Sequence, residues 1–229
     1  MKIISDFEKP HNPKIDELFH QLNLGNIGNV IYWWKFFEKI KTVHGDIVEC
    51  GIGRARSLIM LCAINFLLDR KEGGDRFVYG YDSFEGFPEP SVEDKSFRHP
   101  KKGEWSQSPS GKYKYTVSFI KKVLAAADIS SGSKLILKKG FFNKSLLNHP
   151  NRPIALLHID GDLYQSYKDV LEILFDRVSK GGVIIFDDFA VGTKEGPFPG
   201  AKLAVKNFLG DDFKKIQQSI AGKYYCVKN

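Results

Sequence analysis

The sequence is poor in cysteine and has no long apolar run. Its three cysteines, Cys50, Cys62 and Cys226, are odd in number and share no metal-ligand spacing, which argues against both a disulfide framework and a thiolate metal centre. They read as small buried hydrophobes in a reducing compartment. No apolar stretch approaches the roughly 20 residues of a membrane span, and residues 1–13 hold no apolar signal segment. The expectation is a cytoplasmic chain with no membrane partner. Internal repeats are absent too. What remains is 229 residues, 42% of them hydrophobic, enough for one α/β domain over 1–229. The net charge of +7 admits nucleic acid or an anionic substrate such as a nucleotide-linked sugar. The excess is scattered, as at Lys121 and Lys122, so the reading is a small-molecule enzyme without nucleic acid.

Short β-rich runs at 46–50, 77–82, 134–138, 154–160 and 182–187 alternate with helical-length segments at 55–70, 115–127, 164–178 and 201–209. That rhythm predicts a Rossmann-like, mostly parallel sheet with helices on both faces. A helix over 31–40, inside a helical N-terminal extension at 1–44, precedes the first strand. At the other end, 213–220 and 223–227 flank Ala221 and Gly222, a turn signal. A parallel sheet closed by an antiparallel hairpin is the habit of class I methyltransferases. The tract 83–114, rich in Pro, Gly, Ser and charge, reads as a loop, either a lid over a substrate or a surface insertion.

The first strand runs into "DIVECGIGRARS", with Gly51 and Gly53 where strand becomes helix and backbone must let a ligand approach. A dinucleotide fingerprint requires a third glycine where Arg56 stands. Glu49 would repel a pyrophosphate but suits the ammonium of a methionine moiety, which points to S-adenosylmethionine. Ser57 either donates to the methionine carboxylate or caps the helix. Asp82, closing the second strand with Ser83 after it, is placed for ribose hydroxyls. Gly140 and Phe141, after the third strand, fall near where adenine would lie.

The fourth strand ends "LLHIDGD" and the fifth "VIIFDD", so Asp160, Asp162, Asp187 and Asp188 converge at neighbouring carboxyl ends. Crowded carboxylates repel, and a hard divalent cation such as Mg²⁺, Mn²⁺ or Ca²⁺ neutralises them, whereas all-oxygen ligation argues against Zn²⁺. Asp162 has the alternative of capping the next helix. Asp187 and Asp188 point to opposite faces of a regular strand, so sharing one cation needs a bend after Phe186. His158, inside an apolar strand, reads as a core histidine.

"VECGIGRARS", "YGYDSFEGFP", "LLHIDGDLYQSYKDVLEIL", "GGVIIFDDF" and "PGAKLAVKNF" together resemble the macrocin O-methyltransferase family over roughly residues 45–210. The resemblance implies transfer of a methyl group from S-adenosylmethionine to a sugar hydroxyl with Mg²⁺. It further implies Asp160, Asp187 and Asp188 as metal ligands, Asp162 as general base, and a homodimer through the helices before Gly45. Three other readings stand beside it: a catechol-type phenolic methyltransferase, an NAD-dependent nucleotide-sugar enzyme, and a non-catalytic nucleic-acid-binding protein.

Overall fold

The structure is a computed structural model that describes residues 24–72, 76–129, 134–189, 196–219 and 222–229. Residues 1–23 of the N-terminal extension and Ala221 of the hairpin turn lie outside these. Seven strands form one sheet in the order β3-β2-β1-β4-β5-β7-β6. They are β1 (Asp46–Cys50), β2 (Val78–Asp82), β3 (Leu135–Lys139), β4 (Ile154–Ile159), β5 (Val178–Phe186), β6 (Gln217–Gln218) and β7 (Tyr224–Val227). The first five are parallel, while β7 runs antiparallel to β5 and β6 antiparallel to β7.

The helices are α1 (Leu24–Lys39), α2 (Arg56–Glu72), α3 (Val117–Ala126), the single turn α4 (Phe142–Ser145), α5 (Tyr164–Leu174) and α6 (Pro199–Leu209). Alternation along the strands sorts the core into two layers. Ile47, Leu156, Val183 and Ile185 pack with α1, α2 and α3. Val48, Leu157, Ile184 and Phe186 pack with α5 and α6. All residues of β1 and β4 are buried, as a sheet covered on both faces requires. The three cysteines are buried and unpaired.

Several element ends differ from the sequence expectation, each for a local reason. The helix foreseen at 31–40 begins at Leu24 and is part of the core, with Trp33 and Phe36 in the same cluster as Ile47. Arg76 donates to the carbonyls of Ile40, Val43 and Gly45 at 2.9, 2.7 and 2.6 Å, satisfying groups that a helix end leaves open. The helix foreseen over 164–178 stops at Leu174, because Val178 already pairs with Ile154 and opens β5 four residues early. A register shift before Leu156 absorbs the slip, aided by Gly181 at φ +80°. The first hairpin strand shrinks to Gln217–Gln218, since Gly210–Lys215 coils into 3₁₀ turns.

The tract 83–114 is folded onto the domain. Buried Asp94 accepts the backbone N–H of Tyr164 at 2.7 Å and so caps α5 from 70 residues away. Its other oxygen holds Ser91. Ser96 donates to the Pro197 carbonyl at 2.7 Å. Asp162 is therefore not the cap of α5, and its carboxylate is left for other work.

Candidate active site

The carboxyl ends of β1, β2, β4 and β5 open into a cleft of ≈ 1120 Å³, larger than the roughly 300–1,000 Å³ of a common ligand site. Gly51 takes φ +101° at the end of β1. Asp160 N donates to Cys50 O at 2.9 Å, and a Cβ on Gly51 would overlap the Asp160 carbonyl oxygen. This close approach of β1 to β4 makes glycine obligatory. Gly53, at φ +50°, faces open space in the cleft wall.

Asp82 fastens this loop. Its Oδ2 accepts from Ile52 N and Gly53 N at 2.9 and 3.0 Å, and its Oδ1 from Phe84 N at 2.6 Å. Three of a carboxylate's roughly four acceptor positions are thus used inside the chain. Burial raises its pKa and the three amide donors oppose the rise. Asp82 also lines the cleft, as do Ser57, Ser83 and Phe141. Ser57 is the second residue of α2. Ser83 shapes a turn, donating to Gly86 O and accepting from Glu85 N. Gly140, at φ +137°, gives its N–H to Asp82 O and lies behind the wall.

Glu49 is fully buried, and its Oε1 meets His158 Nδ1 at 3.1 Å. His158, read from sequence as core, lines the cleft, and its Nε2 lies 3.5 Å from Asp187 Oδ1. Burial alone would lower its pKa, but hydrogen bonding and charge from Asp187 and Glu49 outweigh that and hold it up to about 10. β1 and β4 are neighbours in the sheet, and their register sets Glu49 directly beside His158, a pairing that strand order fixes. Two further cleft residues were missed. Tyr32 of α1 brings a buried hydroxyl without a partner among the described residues, and Lys223 donates to the Asp187 carboxylate and, at 2.8 Å, to its carbonyl.

The four aspartates do meet, in two overlapping groups. Carboxylate oxygens of Asp160, Asp162 and Asp188 lie within 4.8 Å of one another, and Asp160 and Asp187 form a second group with His158. The expected set of Asp160, Asp187 and Asp188 is therefore not the tightest trio. Strand alternation is the reason, since Asp187 falls on the His158 side of the sheet and Asp188 on the α5 side. There Asp188 Oδ2 accepts from Asp162 N at 2.8 Å and lies 2.9 Å from the Tyr167 hydroxyl. Asp162 itself has φ +58°, a strained conformation for a non-glycine residue.

Burial and then repulsion from Asp187 and Asp188 raise the pKa of Asp160. Burial and then Asp188 raise that of Asp162. Asp188 rises to about 6, from burial and then Asp187. Asp187 alone is held low, at about 2, because His158 and Lys223 overcome its burial. The trio must take up protons or a cation, and three converging carboxylates fit a hard divalent ion.

The sheet order, closing hairpin, glycine turn after β1 and carboxylate after β2 define a class I methyltransferase fold. A family profile described as macrocin-O-methyltransferase matches residues 37–220, and the chain belongs to that family. It is 30% identical over 151 residues to the 8-demethyl-8-(2,3-dimethoxy-α-L-rhamnosyl)-tetracenomycin-C 4′-O-methyltransferase of Streptomyces olivaceus, covering 65% of this chain and 54% of that one. Against the mycinamicin III 3″-O-methyltransferase of Micromonospora griseorubida it is 29% identical over 154 residues, covering 65% and 57%. The match thus spans little more than half of these relatives. Among solved structures, calicheamicin methyltransferase CalS11 superimposes with a TM-score of 0.75 at 21% identity, covering 99% of this chain and 90% of that one, a likeness of fold.

If Asp82 is chiefly a loop fastener, Asp82→Ala destabilises the ligand-free protein by about 2–4 kcal/mol in urea unfolding, and Asp82→Asn by less. Unchanged unfolding with lost S-adenosylhomocysteine binding assigns it to the ligand alone.

Proposed function

We propose that this chain transfers a methyl group from S-adenosylmethionine to a sugar hydroxyl, with a divalent cation, Mg²⁺ by preference, held by Asp160, Asp187 and Asp188. The observation that carries the reading is the meeting of four carboxylates, Asp162 buried and the other three partly buried, at the ends of β4 and β5, against the glycine turn of β1. Its sugar part is supported by the relatives, one of which is named for a rhamnosyl group.

Gly51, Gly53, Ser57, Asp82, Ser83, Gly140 and Phe141 form or back the cofactor side of the cleft. Glu49 supports that side from beneath through His158. S-adenosylmethionine supplies an electrophilic methyl carbon on its sulfonium. A cation at the aspartates supplies Lewis acidity that lowers the pKa of a coordinated hydroxyl. Asp162 removes the hydroxyl proton, an aliphatic alcohol needing that help more than a phenol does. Lys223 and His158 keep Asp187 ionised, and its remaining lone pairs face the cleft. The tract 83–114 serves as a lid in this reading, hinged on its Asp94 anchor.

A homodimer through α1 belongs to the same reading. Ile27, Val30, Ile31 and Trp34, spaced 3, 1 and 3 apart, are 46, 45, 44 and 41% exposed and make one apolar stripe on its outer face.

Asp162→Asn is expected to lower turnover on the order of 10²–10⁴-fold while Mn²⁺ affinity, followed by paramagnetic relaxation, holds. Asp187→Ala is expected to lose the metal. The reverse pattern gives the ligand role to Asp162, in keeping with the tight trio, and full activity in EDTA retires the metal altogether. Thermal stabilisation by NAD instead of S-adenosylhomocysteine rejects the methyltransferase reading. For the dimer, sedimentation velocity is expected to give two-chain particles that Ile31→Lys with Trp34→Lys separates; a monomeric parent protein rejects it.

A further inference from the structure

Four side chains outside the catalytic set form a compact group at the cleft mouth. The Arg98 guanidinium carbon lies 5.6, 5.4 and 4.9 Å from the ring centroids of Phe87, Trp105 and Phe198. Phe87 and Trp105 stack at 25°, and Phe198 meets both edge-on. Glu104 accepts from Arg98 at 2.6 Å, fixing the guanidinium. Phe87 and Phe198 are buried with Leu163, the neighbour of Asp162, and the Arg98 charge is felt by the Asp162 carboxylate. The group therefore abuts the turn that carries the proposed base.

Trp105 differs from its partners. It remains 56% exposed although three groups pack around it, and it lines the same cleft as Asp162 and Asp188. Its backbone sits at φ +63°, a region that bulky residues avoid. The chain on both sides is tied down: Gly103 N–H to Phe87 O at 3.0 Å, Phe87 N–H to Glu104 O at 2.9 Å, and Tyr115 N–H to Ser106 O at 2.9 Å. A glycine at 105 would remove the strain, which the tethered chain on either side holds in place.

We infer that Trp105 is the acceptor platform: its exposed face stacks on the C–H face of a pyranose ring and presents that ring's hydroxyl toward Asp162, with Arg98, Phe87 and Phe198 as positioning residues. An aromatic face is apolar and electron-rich, which suits axial C–H groups of a sugar, above all a 6-deoxy sugar. Arg98 approaches the aromatic group from within and is braced by Glu104, so the platform is rigid before the ligand arrives. This inference rests on the sugar reading above for its choice of ligand.

The test is a binding measurement that needs no turnover. The full chain, saturated with S-adenosylhomocysteine and Mg²⁺, is titrated with methyl α-L-rhamnopyranoside and separately with the matching nucleoside-diphosphate sugar, read by saturation-transfer NMR on the sugar protons. Trp105→Ala is expected to weaken binding roughly 10-fold and Trp105→Phe less than about 3-fold, with S-adenosylhomocysteine affinity unchanged in both. Whichever probe responds identifies whether free glycoside or nucleotide sugar is the source of the ring. Equal binding by Trp105→Ala, or no transfer to either sugar in the parent protein, overturns the platform. Sugar binding that depends on Trp105 without methyl transfer instead upholds the platform and rejects the proposed reaction.

Discussion

The repulsion among four crowded carboxylates, Asp162 buried and the others partly so, at the ends of β4 and β5 is the constraint on which the rest of the site depends. At an effective dielectric of about 20, two charges separated by the span of the Asp160, Asp162 and Asp188 group repel by about 3–4 kcal/mol. No packing of apolar residues removes that cost, so compensating groups must surround it. Two cationic side chains, His158 and Lys223, serve Asp187, while Asp188 takes an amide and a phenol hydroxyl. Asp160 shares His158 with Asp187, and the trio of Asp160, Asp162 and Asp188 is compensated less than Asp187 is.

Alternation along β5 divides the labour. Asp187 shares a sheet face with Ile185, and Asp188 shares the other with Phe186, so one meets the α1 side and the other α5. Asp160 belongs to both groups. Its carbonyl is also the atom that forbids a side chain at Gly51, so the backbone of one residue shapes the cofactor turn while its side chain serves the acid cluster.

Much of this was legible in sequence where a rule of geometry is local. Alternating strands and helices, the glycine turn and the aspartate pairs follow from period, propensity and chain direction, and the five parallel strands stand near where the pattern put them. Glu49 was harder, because its partner is set by strand order, which no single segment declares. His158 looked like core because it is buried against Trp33 and Glu49. Capping of α5 by Asp162 was only the alternative to its role as base, and the cap proves to be Asp94, which arrives from a loop 70 residues away. The ends of α5 and β5 moved because pairing of Val178 with Ile154 outweighed helical periodicity.

The tract 83–114 shows how a segment without periodicity acquires order from a few buried polar contacts. Asp94 gives one oxygen to the Tyr164 amide and the other to Ser91, which ties the tract to α5. Gly86 lies against the carbonyl of Glu104, where a Cβ would overlap it, so the chain doubles back closely enough to stack Phe87 on Trp105. α5 begins immediately after Asp162, and the same helix supplies the Tyr167 hydroxyl beside Asp188. The tract that forms the cleft mouth and the residues that form its floor are thus fastened to one helix.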